Sequence, residues 1–148
     1  MRIVECLQQT EEWEQWRARP TASNFGRIVT PARCQFAKGA EDYAYEVIAK
    51  QLGTWVEPPP SFWMQHGIDN EPHAVDDYER RNGVTTTVVG FVLPDNTDSY
   101  GGSPDRLIGD DGGLEVKCPK DTTLIKYHHK GVLQIEYKAQ VQGLLMIT

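Results

Sequence analysis

The stretch Gly109-Asp110-Asp111-Gly112-Gly113 constrains the fold more than any other part of the chain. Glycine and aspartate tolerate positive φ, so the segment is strong hairpin chemistry. On either side lie "YGGSPDRLIG" and "GLEVKCP", both short and strand-like. Alternate side chains of a strand share a face. Glu115 and Lys117 therefore point one way, while Leu114, Val116 and Cys118 point toward a core. Antiparallel pairing about the turn sets Asp105 roughly opposite Lys117 and Leu107 opposite Glu115. Two carboxylates and one ammonium then converge on one place.

The remaining elements surround this hairpin. "CLQQTEEWEQWRAR" places Leu7, Trp13 and Trp16 at near-helical spacing until Pro20 breaks it. Thr21 or Ser23 can cap a short second helix. Residues 40–52 read as an amphipathic helix ended by Gly53. "EPPP" is a stiff connector. A longer helix is predicted from Ser61 to Asn82, with Phe62, Ala74, Val75 and Tyr78 in its apolar stripe. Gly67 and Pro72 predict a kink or a division into two pieces. "VTTTVVGFVL" is rich in β-branched residues and reads as a strand. The last segment, "VLQIEYKAQVQGLLMIT", returns to a helix with Leu133, Tyr137, Val141 and Leu144 or Leu145 on one side. Helices, then a sheet, then a helix make a mixed α/β (α+β) domain with an antiparallel component.

The chain of 148 residues has room for one domain with a single core. No apolar run approaches the ~20 residues that span a bilayer. The N-terminus lacks the order of a signal peptide, so no membrane partner is expected and a cytoplasmic location is. Cys6, Cys34 and Cys118 form no CxxC pair and are expected as reduced thiols. The net charge of −6 argues against a nucleic-acid partner, but its distribution does not. From Arg17 to Lys38 there are five basic residues and no acid, and from Leu114 onward five lysines stand against three acids. The middle, Glu57 to Asp111, carries eleven acids against three arginines. Such a chain can attract a polyanion locally or hold a cation; it can also simply be a solvated mixed surface.

Asp105, Glu115 and Lys117 have a definite chemical use. Two hard oxygen donors can hold Mg²⁺, which keeps several waters and shares its other positions with substrate phosphate. A lysine beside them can orient a water, help deprotonate it, or stabilise negative charge. The carbonyl of Val116 can supply a further ligand. The alternative is a surface hairpin with a cross-strand salt bridge from Asp105 or Glu115 to Lys117. His66, His73, His128 and His129 form no zinc set with the cysteines. His128 and His129 read as a solvated loop, and the four tryptophans as packing residues.

The block "SPDRLIGDDGGLEVKCP" resembles the PD-(D/E)XK nuclease signature, and more closely that of the lambda-exonuclease, or YqaJ-type viral recombinase, family. "WRARPTASNFGRIV", "MQHGIDNEPHAVDDYERRNG" and "YKAQVQGLLMIT" resemble three further blocks of that family, in the same order. The resemblance implies a restriction-endonuclease-like core, a central mixed sheet with an antiparallel hairpin flanked by helices, as one nuclease domain over residues 1–148. It implies a Mg²⁺-dependent deoxyribonuclease (Mn²⁺ as the alternative, with a pair of ions per site). This enzyme would digest double-stranded DNA 5′ to 3′ from 5′-phosphorylated ends in phage-type recombination. Asp105 and Glu115 would be metal ligands, joined by the Val116 carbonyl, and Lys117 the catalytic lysine. Glu71 would support the site and the attacking water, and Gln140 would position Lys117 or that water. Arg17 would read the terminal 5′-phosphate, with Ser23 close to it and Arg19 and Arg27 as neighbouring DNA contacts. A ring-shaped homotrimer and a single-strand-annealing partner are implied by the family alone. Rival expectations are a PD-(D/E)XK endonuclease and a non-catalytic DNA-end-binding protein of the same fold. Two departures stand out. Arg106 follows Pro-Asp where family members often have glycine, which predicts a tighter turn or an added phosphate contact. The chain also stops at Thr148, after the A-Q-V-Q helix, where relatives usually continue; it is either a compact member or C-terminally short.

Overall fold

The computed structural model describes residues 1–148 and has six α-helices and four short strands. No helix is long and apolar enough to cross a membrane. The chain forms two compact units: residues 1–56, 89–104 and 134–148 make one, and 57–88 with 105–133 the other.

In the first unit, β1 (Arg2–Val4) pairs antiparallel with β2 (Phe91–Leu93), Ile3 facing Val92. Val92 also bridges antiparallel to Gly102, and Gly101 bridges parallel to Thr21. The ladders themselves are two separate antiparallel pairs, β1 with β2 here and a second pair in the other unit, and the parallel contact is this one isolated bridge. Phe91, Val92 and Leu93 are all fully buried, so both faces of β2 are covered. Trp13 joins Phe91 and Leu93 in the core, with Val4, Cys6 and Trp16 around them. Trp13 comes from α1 (Glu11–Trp16), whose first turn is capped by the Thr10 side chain and carries Glu11, Glu12 and Glu14 at its positive end. Leu7, expected within this helix, lies before it and is exposed.

Thr21 occupies the cap position of a short 3-10 turn, Ala22–Asn24, that leads into α2 (Phe25–Ile28). α3 (Ala40–Gln51) buries Tyr43 and Val47 and is followed by Gly53 at φ +67°, a left-handed turn that suits glycine. The Tyr43 hydroxyl accepts a hydrogen bond from the Thr21 N–H at 3.2 Å. α6 (Ile135–Ile147) packs on Ala22 and Phe25 through small residues. A Cβ on Gly143 would stand 2.5 Å from the Phe25 ring. The buried residues of α6 are Gly143 and Ile147; Tyr137, Val141 and Leu144 of the expected stripe are half-buried, while Leu133, before the helix, and Leu145 are exposed. Close approach of the backbone, rather than the size of the side chains, chose the buried face.

A tighter approach occurs at Gly90, where a Cβ would meet the Cys6 carbonyl oxygen at 2.1 Å. Gly90→Ala is expected to cost roughly 3 kcal/mol, because the obstacle is main chain that must move. A urea melt with an unchanged midpoint would refute this. The same approach interrupts "VTTTVVGFVL", which is not one strand: Thr87 bridges Leu107, and only Phe91–Leu93 continues as β2.

The second unit is built on α4 (Phe62–Asn82), 21 residues long and continuous across Pro72. The Ser61 side chain accepts from the Met64 N–H, and Gly83 at φ +64° ends the helix. Val75 is its buried apolar residue, while Phe62 of the expected stripe is exposed. β3 (Arg106–Ile108) and β4 (Gly112–Leu114) make the predicted hairpin. Their register pairs Arg106 with Leu114, Leu107 with Gly113 and Ile108 with Gly112. Leu107 thus faces Gly113, two residues short of the expected Glu115. Gly109 adopts φ +57° and opens the turn, drawing Gly112 and Gly113 into the ladder. An even shift keeps every side chain on its original face. One helix was not anticipated: α5 (Asp121–Lys130) holds His128 and His129 in its last turn. Asp121 in its first turn and Gly131 at φ +61° after its end are the sequence signals that mark it.

Candidate active site

The second unit gathers Glu71, Asp105, Glu115, Val116 and Lys117. Glu71 lies four residues before the buried Val75 on α4, so both occupy the inward side of the helix. Asp105 immediately precedes β3, and Glu115 to Lys117 immediately follow β4. The strand expected through Cys118 ends at Leu114. Continued by one rung, the observed register sets Asp105 opposite Glu115.

Asp105 Oδ2 accepts a hydrogen bond from the Val116 N–H at 2.6 Å. Burial pushes the Asp105 carboxyl up from its ordinary value, against the opposing pull of that N–H and of Lys117 and Arg106. Lys117 Nζ is ion-paired with Glu115 Oε1. The Glu115 side chain is only 13% exposed and Lys117 35%, so the ammonium faces outward from a largely buried carboxylate. This pair realises the salt bridge considered from sequence, within one strand end rather than across the hairpin.

Glu71 Oε1 accepts from Arg106 Nη1 at 3.2 Å. Burial and the nearby Asp105 charge raise the Glu71 carboxyl, while Arg106 and Lys117 pull it down. Burial, then the charges of Glu71 and Asp105, raise the Cys118 thiol as well. Three carboxylates thus share one electrostatic neighbourhood, with Arg106 and Lys117 as their counter-charges. No group of three or more His, Cys, Asp or Glu side chains is arranged to hold a metal ion.

The other predicted residues lie in the first unit. Gln140 is half-buried on α6, the helix that packs on the Ala22–Phe25 segment. The Ser23 hydroxyl is 3.2 Å from that of Thr21. Arg17 stacks over the Trp13 ring, 4.2 Å to the centroid, with Glu14 at 3.7 Å. Its Nε is buried and has no hydrogen-bond acceptor. Arg19 donates to the carbonyls of Trp16 (2.7 Å) and Asp98 (2.6 Å) and lies over the Trp16 ring. Arg27 pairs with Glu46 at 2.8 Å.

A scan of family models matches residues 12–148 to the YqaJ-like viral recombinase domain. The chain belongs to the YqaJ-like viral recombinase family. Solved structures agree. An alkaline exonuclease, LHK-Exo, from Laribacter hongkongensis is 33% identical with a TM-score of 0.83, over 94% of this chain and 69% of that one. LHK-Exo in complex with dAMP gives 32% identity and a TM-score of 0.82, over 93% and 68% of the two chains. Among curated proteins there is no match. Family and fold together describe a DNA-processing nuclease of the lambda-exonuclease type.

Two supporting contacts of this YqaJ-like chain escaped the sequence reading, and a third residue was anticipated in a different role. The Trp13 indole donates to Ser103 Oγ at 2.8 Å, and Gln8 Nε2 donates to the carbonyls of Val89 (2.8 Å) and Pro104 (3.2 Å). Both fix the main chain just before Asp105. The third is Arg106, anticipated as a turn or phosphate residue and found clasping Glu71. No local pattern signals these partners, which are distant in sequence.

Proposed function

We propose that the chain is a divalent-cation-dependent exonuclease that degrades double-stranded DNA 5′ to 3′ from 5′-phosphorylated ends. The observation that carries this reading is the assembly of Asp105, Glu115, Lys117 and Glu71 in one unit, in a chain whose family processes DNA.

The donor set suits Mg²⁺, with Mn²⁺ as the alternative. Asp105 and Glu115 offer hard oxygens, and Mg²⁺ is typically bound through one or two carboxylates together with water and substrate phosphate. The Asp105 carboxyl, pushed up by burial despite Lys117 and Arg106 nearby, is what a cation would relieve. When bound, the ion supplies an acidified water and neutralisation of charge on the phosphoryl oxygens. The chain's residues do the rest. Asp105 and Glu115 hold the ion, with the Val116 carbonyl as a further donor. Lys117, kept in place by Glu115, steadies negative charge and handles the proton of the attacking water. Glu71 orients that water; a helping role for Gln140, which lies in the other unit, rests on the family resemblance alone.

Arg17 is the residue for the terminal phosphate, and the indole beneath it fixes its plane. Its buried Nε lacks an acceptor, and a guanidinium clasps two phosphate oxygens at once. Ser23 adds a hydroxyl at the same segment, whereas Arg19 and Arg27 act as flanking contacts. The reading extends to a homotrimer, a single-strand-annealing partner and action in the cytoplasm.

The test incubates the protein and Mg²⁺ with linear 5′-phosphorylated DNA and with covalently closed circles. Loss of the linear DNA alone is expected, abolished by Lys117→Ala and slowed at least ~10-fold by Arg17→Ala. Nicking of the circles would instead identify an endonuclease, and no metal-dependent cutting by the folded protein would leave an end-binding protein.

A further inference from the structure

We propose that Arg106 is a positioning residue that stands in for a second divalent ion, so that this site takes a single ion. The inference rests on the metal-dependent reading above.

Arg106 Nη1 bridges Glu71 Oε1 at 3.2 Å and the Asp105 carbonyl oxygen at 2.5 Å. It thereby ties α4 to the main chain that carries Asp105. The guanidinium is held firmly: Arg106 opens β3, which pairs with β4 on one side and with Thr87 on the other. Only 16% of its side chain is exposed, against 31% for Glu71. A guanidinium does not deprotonate in proteins, so its charge is permanent. A dication approaching Glu71 would meet this fixed charge and compete with it for Glu71 Oε1.

The same logic holds across the site. Lys117 and Arg106 set two positive charges against the three carboxylates of Glu71, Asp105 and Glu115, which leaves one net negative charge for a dication and the substrate phosphate. Family resemblance implies a pair of ions, and the guanidinium between Glu71 and the Asp105 main chain is a fixed positive charge that a second ion here would have to approach. Glu71 is then a carboxylate oriented by arginine rather than by metal.

Ion counting by Mn²⁺ electron paramagnetic resonance, without DNA, tests this on the full chain. Wild type and Arg106→Lys are expected to bind one tight Mn²⁺ with an uncoupled spectrum. Arg106→Gln, similar in length but uncharged, should take up a second ion at least ~10-fold tighter than wild type does, with spin coupling between the pair. Glu71→Gln, which keeps Arg106, should retain the tight ion unchanged. Equal counts and affinities in wild type and Arg106→Gln would overturn the inference, as would loss of the tight ion in Glu71→Gln. Failure of the underlying reading looks different: wild type and Asp105→Asn would both bind no Mn²⁺, and the inference would fall with it.

Discussion

Asp105→Asn is expected to abolish DNA hydrolysis, by ~10³-fold or more, while making the protein more stable. The two effects have one cause. Asp105 is a mostly buried carboxylate whose hydrogen bond comes from a single main-chain N–H, and burial raises its carboxyl above the ordinary value. Its charge therefore opposes folding at neutral pH and is retained for the reaction. Asparagine keeps an oxygen for the Val116 N–H and drops the charge. A gain of about 1 kcal/mol, or ~2–4 °C in melting temperature, is the expected size for a chain of this length. The sign with pH follows. A folded-state carboxyl that is raised binds its proton more readily than in the unfolded chain, so wild-type stability improves as pH falls toward the ordinary carboxylate range. The advantage of Asp105→Asn should shrink in that same direction. Melting curves at several pH values without added metal check this; a variant less stable than wild type at neutral pH would show Asp105 to be structural.

Phe91→Ala should have the largest effect on stability, about 3–5 kcal/mol. Phe91 is 0% exposed and packs with Trp13 and Leu93, and the Trp16 ring stacks on it with centroids 6.4 Å apart. Gly101 lies so close that a Cβ there would be 2.3 Å from the Phe91 ring, so neighbouring backbone cannot collapse freely into the void. Domains of this kind are held by only ~5–15 kcal/mol, so the variant should be largely unfolded at modest denaturant. Phe36→Ala is the control: Phe36 is 84% exposed, and its loss should stay within ~0.5 kcal/mol. Urea midpoints for the two variants that coincide would remove Phe91 from the core.

The hairpin and the residues on its chemical face were legible because their signals are local. Gly109 and its neighbours dictate a reversal, and a two-residue period groups Glu115 with Lys117. The buried face was not legible, since Leu107 is in the core while Leu114, Val116 and Cys118 are only half-buried. The register itself was not legible: choosing between Gly113 and Glu115 opposite Leu107 depends on where Gly109 turns left-handed, and either choice keeps the same residues together on a face. α4 was legible from its cap at Ser61 and its stop at Gly83, and its kink was over-read, since Pro72 is accommodated within the helix. α5 was missed because its sequence, "DTTLIKYHHK", is short and mostly polar, and none of its residues is buried.

What the sequence determined by itself is the mixed α/β class, the hairpin, and a set of carboxylates with one lysine whose order and spacing name a nuclease family. Tertiary structure alone decided which counter-charge each carboxylate receives. Arg106 and Glu71 are 35 residues apart, as Asp105 and Val116 are 11 apart across a turn. It also decided that α6 buries Gly143 and Ile147 most deeply, with Leu144 half-buried and Leu145 exposed. A helical or strand period reports which residues share a face, and the partner on that face is set by which distant segment can approach most closely. At Gly90, Gly143 and Arg106 that approach is fixed by packing between segments, which no window of the sequence contains.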